Sequence, residues 1–270
     1  MKRKFYEYIM IILVYRNTKD LIECLVSINK NMINNHVILV NAYYDEKTCS
    51  KVSEIAKEYG CDFINVENKG YGFGNNLGIT YAERCYEYNY IVVLNPDTII
   101  KKFKMCRESL KGDIIAPKIV TINGKNQNPM LVKENFIAEK LIYIGFVKEQ
   151  QLYIKVGIAM NKILRLLFLT KCVFIKKAVY PIYAAHGSFV LIKKEAIVAM
   201  QGKPYDENIF LFAEENVLAR KAKLLKLQTI YTPDIEIYHK EDGSINVSDI
   251  TVERELMKSN IYYFEKYRFN

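Results

Sequence analysis

The chain has 270 residues, half of them hydrophobic, which supplies a core for one large domain and excludes a disordered chain. Six scattered cysteines (Cys24, Cys49, Cys61, Cys85, Cys106 and Cys172) form no Cys-x-x-Cys pair, which argues against a zinc ribbon or disulfide scaffold and for a reducing compartment. A formal charge of +9 invites a polyanion such as nucleic acid, anionic lipid headgroups or a phosphorylated substrate. The 21 tyrosines, without any tryptophan, suit carbohydrate stacking or an ordinary tyrosine-rich core. The apolar run at residues 9–14 is too short for a secretory h-region and reads as a first strand. No segment is expected to span a membrane, so a cytoplasmic protein is expected.

Residues 8–15 form a β-rich run ending at Arg16 and Asn17, and Asp20 is placed to cap a helix reaching Asn31 with Leu21, Cys24, Leu25 and Ile28 on one face. Residues 36–40 repeat the strand pattern, with Asn41 as the stop, and a helix with Val52, Ile55 and Ala56 inward follows. Residues 62–66 predict a third strand, residues 75–87 a helix and residues 90–94 a fourth strand. This alternation implies a mostly parallel sheet with right-handed crossovers and polar residues along one edge.

Beyond Lys101 the alternation loosens. A short helix is expected near residues 103–110 and a strand at 113–120, which Pro117 would confine to an edge or interrupt. Residues 123–128 read as a polar loop. Residues 133–179 are basic and apolar, and within them Ile163, Leu164, Leu166, Leu167, Phe168, Val173 and Phe174 stand beside Lys162, Arg165, Lys171, Lys176 and Lys177. That segment suits either an anionic membrane surface or a helix packed on its own sheet. A turn at His186-Gly187-Ser188 feeds the apolar residues 189–192, a helix opens at Glu214 and Glu215, and residues 229–232 and 235–238 suggest two strands before His239.

Three stretches carry chemistry. The strand at residues 90–94 runs into Asn95-Pro96-Asp97, and because Pro96 cannot donate to a ladder the strand ends there with a carboxylate at its exit. That is where open α/β sheets bind ligands, and a carboxylate there suits a divalent cation; the bland alternative is a turn. Alternate glycines at 70, 72 and 74 would let backbone amides approach a diphosphate at a helix start, although the spacing is not the dinucleotide fingerprint; structural glycines in a turn are the alternative. Residues 205–215 gather four carboxylates around two phenylalanines, where acids at a helix start also serve as simple capping partners.

In this order the stretches resemble the nucleotide-sugar-dependent glycosyltransferases of family 2, which have the GT-A fold, and in particular their rhamnosyltransferase-like branch. Residues 68–79 match its Asn-x-Gly-Phe-Ala-x-Gly-Asn-Asn-x-Gly-Ile stretch with Tyr71 for Phe and Gly72 for Ala, and residues 94–97 match Leu-Asn-Pro-Asp. Gly187 to Phe189 match a Gly-Ser/Ala-Phe strand, residues 206–215 an Asp-Glu-x-Phe-Phe-x-x-x-Glu-Asp/Glu segment with Ile209 for the first Phe, and His239 precedes Gly243-Ser244 as in the branch. The resemblance implies an α/β fold: a Rossmann-like, mostly parallel sheet flanked by helices, with a C-terminal acceptor-binding lobe. Residues 1–120 would form the nucleotide-sugar half and residues 121–270 the acceptor half of one GT-A domain.

The implied activity is inverting sugar transfer from a UDP- or dTDP-sugar, dTDP-rhamnose among them, to a surface-polysaccharide or lipid-linked glycan at the inner face of a membrane. By resemblance Asp97 and His239 ligate Mg²⁺ or Mn²⁺, and Glu215, or Glu214 if geometry favours it, is the general base. Tyr15, Asn17, Asn41, Asn68, Gly70, Asn76, Asn95 and Asp97 would bind the donor, and His186 and Gly187 the acceptor. Two departures stand out. Asn41 occupies the place of an aspartate that holds the nucleotide base, and Val217 that of a further aspartate after the acid pair. The alternatives are a sugar nucleotidyltransferase, which would need a basic glycine-rich loop where the chain has Tyr15-Arg16-Asn17, and a non-catalytic glycan- or nucleic-acid-binding protein. The acidic residues 206–215 argue against nucleic acid as the partner.

Overall fold

The structure is a computed structural model that describes residues 3–241 and 249–269. The chain begins as three parallel βα units: β1 (Lys4–Val14), α1 (Thr18–Asn31), β2 (Asn35–Tyr43), α2 (Glu46–Glu58), β3 (Asp62–Glu67) and α3 (Tyr71–Cys85), leading into β4 (Tyr86–Leu94). Then come β5 (Thr98–Lys102), β6 (Ile114–Thr121), α4 (Phe136–Val147), α5 (Gln151–Ile175), β7 (Tyr180–Pro181), β8 (Phe189–Lys193), α6 (Lys194–Ala199), α7 (Glu214–Leu224), β9 (Thr229–His239) and α8 (Asp249–Arg268). The nine strands of the described residues join one sheet in the order β3-β2-β1-β4-β8-β6-β9-β5, with β7 on the flank of β9. Each of the four parallel ladders is longer than any antiparallel one.

The central strands are buried on both faces, which is why they read as continuous apolar runs. Met10, Ile12, Leu39 and Val92 face one core layer under α1 and α2, while Ile9, Ile11, Ile38 and Val93 face the other under α3 and α6. All six cysteines are free thiols.

Several expected boundaries move. Asn17, not Asp20, caps α1: its side chain accepts from the Asp20 N–H and its amide donates back to the Asp20 carboxylate. Asn41 does not stop β2, which continues to Tyr43, because β3 pairs with it through Asn41↔Asn65 and on to Tyr43↔Glu67. Residues 71–74, expected as a turn, are the first turn of α3. The helix expected at residues 103–110 is only a short 3₁₀ turn at Ser109–Lys111, and β5 was not anticipated. Pro117 lies inside the sheet rather than at its edge. The β8 ladder ends before it at Ile115, and the β9 register shifts just after it, so its missing N–H breaks no ladder. The two strands expected before His239 are one, and α8 follows it unanticipated. Gly243 and Ser244 lie outside the described residues.

Candidate active site

Strand register assembles the site. The antiparallel pairing of β4 with β8 sets Leu94 opposite Phe189, so the chain leaving β4 meets the chain entering β8 and the Asn95 N–H donates to the Ser188 carbonyl (2.9 Å). The pairing of β5 with β9 sets Thr98 opposite His239, bringing Asp97 beside the last residue of β9. On the other flank of β9, Thr121 of β6 also faces His239, and the hairpin after β6 carries Gln127 to the imidazole. Residues far apart in sequence thus meet at one sheet edge.

Asp97 is 3% exposed, and its Oδ1 lies 3.3 Å from His239 Nε2 without a hydrogen bond. Gln127 Nε2 donates to Glu241 (2.9 Å), which directs its Oε1 at His239 Nδ1 (2.7 Å). Nδ1 therefore carries the proton, and the Nε2 lone pair faces a carboxylate oxygen. Two acceptors so placed, each buried, need a cation between them or a proton on the ring. An imidazole fixed by an outer hydrogen bond beside a buried carboxylate is a donor set that fits a divalent ion. Among the described residues no group of three or more such side chains converges, so any ion there would complete its shell with ligand or water oxygens.

His186 packs edge-on against His239 with ring centroids 5.9 Å apart. The Ser188 N–H points at its Nδ1, and burial, followed by the neighbouring His239, lowers its pKa to about 4, so it is neutral. The next residue, Gly187, is bonded from two sides. Its N–H donates to Glu215 Oε1 (3.2 Å), and its carbonyl accepts from the Tyr71 hydroxyl (2.9 Å). A Cβ at position 187 would lie 3.0 Å from that glutamate oxygen, so the close approach favours glycine.

Glu214 and Glu215 open α7 after Phe212 and Ala213, two non-glycine residues with φ of 70° and 65°. Such left-handed backbone costs about 1–2 kcal/mol per residue and persists only where surroundings enforce it. Glu214 is 5% exposed with Oε1 unpartnered, and burial, reinforced by Glu215, raises its pKa to about 8. It carries a proton at neutral pH. Burial also raises Glu215, opposed by backbone N–H donors including that of Gly187. Glu215 is the more exposed of the two, and the Gly187 N–H favours its charged form.

The glycine-rich stretch has a different task from the one its spacing suggests. A Cβ at Gly70, where φ is 102°, would meet the Phe210 carbonyl oxygen at 2.4 Å, and one at Gly72 the Asp206 carbonyl at 2.7 Å. The Tyr71 N–H donates to Phe210. The start of α3 is therefore covered by residues 205–212, and the glycines admit protein backbone. Asn76 clamps the same segment, donating to the Tyr205 carbonyl (3.1 Å) and Glu207 and accepting from the Tyr205 N–H. Asn68 accepts from the Gly70 N–H in a local turn. Gly70 and Asn76 thus hold residues 205–210, Asn68 bonds within its own turn, and Asn17 caps α1. Of the residues expected at the donor, Asn95 has a half-buried side chain that bonds no described residue, and Asn41 keeps one buried oxygen unpartnered while its amide donates to Asn65 (2.8 Å). Tyr15 stacks edge-on with Tyr44, and the Arg16 guanidinium lies over both rings.

Sequence reasoning missed Gln127, Tyr71 and Asp206 as partners. Asp206, read as part of an acidic cluster, accepts from Lys266 Nζ (2.8 Å), the Tyr267 hydroxyl (2.7 Å) and Asn208, fastening α8 to the segment ahead of Glu214. Only its spacing to aromatic and basic residues near the C-terminus could have hinted at this.

No protein-family model matches the chain, and no curated protein matches its sequence. The architecture is that of the GT-A glycosyltransferases. GalNAc-T7, in a structure holding UDP, GalNAc and Mn²⁺, superposes with a TM-score of 0.62 at 13% identity over 96% of this chain. S. aureus TarS superposes with a TM-score of 0.54 at 13% identity over 98%. Residues 1–349 of S. aureus TarS in complex with UDP give the same TM-score, identity and coverage of this chain. The chain spans 48% of the GalNAc-T7 chain and 44% of the longer TarS chain.

Proposed function

We propose that this chain is an inverting, metal-dependent glycosyltransferase of the rhamnosyltransferase-like branch, moving a sugar from a UDP- or dTDP-sugar to a hydroxyl of a surface-polysaccharide or lipid-linked glycan. It would act in the cytoplasm at the inner face of the cell membrane. The observation that carries the reading is the juxtaposition of the oriented Asp97–His239 pair with Glu215 across the loop His186-Gly187-Ser188. GalNAc-T7 and TarS, in structures that contain UDP, have the same fold.

Asp97 and His239 would hold Mg²⁺ or Mn²⁺, which when bound neutralises the departing nucleoside diphosphate. Asn95, whose amide bonds no described residue, would orient the donor sugar or ribose, and Asn41 and Tyr15 the base and ribose. Glu215 takes the proton of the acceptor hydroxyl as its oxygen bonds to the anomeric carbon, while the bond from that carbon to the diphosphate oxygen breaks and its electron pair leaves with the diphosphate. His186, neutral and donating through Nε2, and Gly187 would position the acceptor. A separate cavity of about 310 Å³ is lined by Asn216, Arg165, Tyr143 and Tyr263. Residues 1–120 would then serve the donor and residues 121–270 the acceptor.

The test is a thermal-shift screen of UDP-, dTDP- and GDP-sugars with and without Mn²⁺. One donor should raise Tm only with metal, and Asp97→Ala should abolish that shift. Absence of response to every nucleotide sugar, or an undiminished metal-dependent shift in Asp97→Ala, would count against the reading.

A further inference from the structure

α5 packs one face against the protein and leaves the other uncovered. Ile154 and Gly157 are buried, and a Cβ at Gly157 would lie 2.6 Å from the Ala138 carbonyl, so α4 and α5 cross closely. Phe168 packs on Tyr180 and Tyr231, and the Arg165 guanidinium reaches the Asn126 carbonyl. At 100° per residue the opposite face carries Leu152, Val156, Ile163, Leu166, Leu167 and Phe174, all exposed, with Leu166 67% and Phe174 80% accessible. This stripe runs about 33 Å along the helix. A soluble surface rarely leaves so long an apolar strip bare without a partner.

The rim identifies the partner. Exposed Lys155 and Lys162 flank the stripe on one side and Lys171 on the other, with exposed Lys176 and Lys177 at its end. Between Glu149, in the corner ahead of α5, and Glu195 the sequence has no acidic residue. A second copy applying the same face would bring lysines to lysines with no carboxylate to answer them. An anionic bilayer answers both features, since acyl chains accept the stripe and headgroups the ammonium groups. Among the described residues no helix is long and apolar enough to cross a membrane, so α5 would lie in the interface plane.

We propose that the outer face of α5 docks the protein on an anionic lipid surface. This names the membrane-facing surface of the transferase proposed above, and it is read on the protein without donor, so its failure and that of the transfer chemistry are separable. The experiment is co-sedimentation of the full chain with phosphatidylcholine vesicles with or without phosphatidylglycerol. Binding should require phosphatidylglycerol and weaken with salt. Lys155→Gln/Lys162→Gln/Lys171→Gln should weaken it on the order of 10²-fold, from about a fivefold loss per lysine. Leu166→Asn/Leu167→Asn, which alters exposed side chains only, should abolish it with the circular dichroism spectrum unchanged. A control, Lys47→Gln/Lys51→Gln/Lys57→Gln on the exposed side of α2, removes the same charge elsewhere and should bind nearly as the parent does. Equal losses in both lysine variants, equal binding to both vesicles, no binding to either, or self-association that the Leu166/Leu167 variant dissolves would overturn the proposal.

Discussion

Replacing each glutamate of the α7 pair by glutamine separates their roles. Glu215→Gln keeps a side-chain oxygen for the Gly187 N–H (3.2 Å) and so preserves the loop, yet it removes the proposed base. Loss of a general base costs about 10²–10⁴-fold in kcat. Glu214→Gln should cost less turnover and act chiefly on stability. Burial and Glu215 raise the Glu214 carboxyl to about 8 in the folded chain, whereas the unfolded carboxyl titrates near 4.3. The folded state therefore binds more protons across that interval, and stability falls as pH rises from about 4.3 to about 8, by on the order of a few kcal/mol. A glutamine at 214 does not titrate, and whatever its unpaired amide costs is the same at every pH. The slope of Tm against pH through that window should therefore flatten, whatever the absolute shift. The assay pairs donor turnover with Tm from pH 4 to pH 9. A Glu214→Gln variant that loses as much turnover as Glu215→Gln, or that keeps the parental slope, would refute the assignment.

Gly72→Ala would drive a methyl to 2.7 Å from the Asp206 backbone oxygen, so it should destabilise by about 1–3 kcal/mol in urea melts and lower turnover through the displaced segment. Asp206→Ala should loosen α8. Burial raises the Asp206 pKa, but Lys266, Asn208 and Tyr267 more than reverse this and hold the group well below the usual range. Its stabilisation is therefore full above pH about 4 and fades as pH falls through the lowered value, so parent and variant melts should converge in strong acid. Gln127→Leu leaves Asp97 and His239 in place but frees the imidazole to rotate and change tautomer. Metal affinity, read by Mn²⁺ titration, should fall about 10–100-fold.

The order of strands and helices was legible because buried parallel strands are apolar throughout and the helices between them carry one apolar face. The end of β4 at Leu94 and the start of α7 at Glu214 were read where they stand, whereas β4 begins at Tyr86, inside the expected helix of residues 75–87. What misled was local chemistry with two meanings. Asn41 resembles a strand end but continues the ladder because β3 lies beside it. Glycines 70 and 72 resemble a phosphate cradle, but what approaches them is the backbone of residues 206 and 210, over 130 positions later.

The sequence by itself determined the class of fold and the inventory of reactive side chains, because hydrophobic period and residue type are local properties. The tertiary structure alone decided how those side chains are used. Opposing registers at Leu94↔Phe189 and Thr98↔His239 bring Asp97 to His239, the β6 hairpin sets the imidazole tautomer through Gln127, and burial beside Glu215 raises the Glu214 carboxyl while the Gly187 N–H favours charge on Glu215. Each depends on distance and desolvation between segments far apart in the chain, which no local pattern encodes.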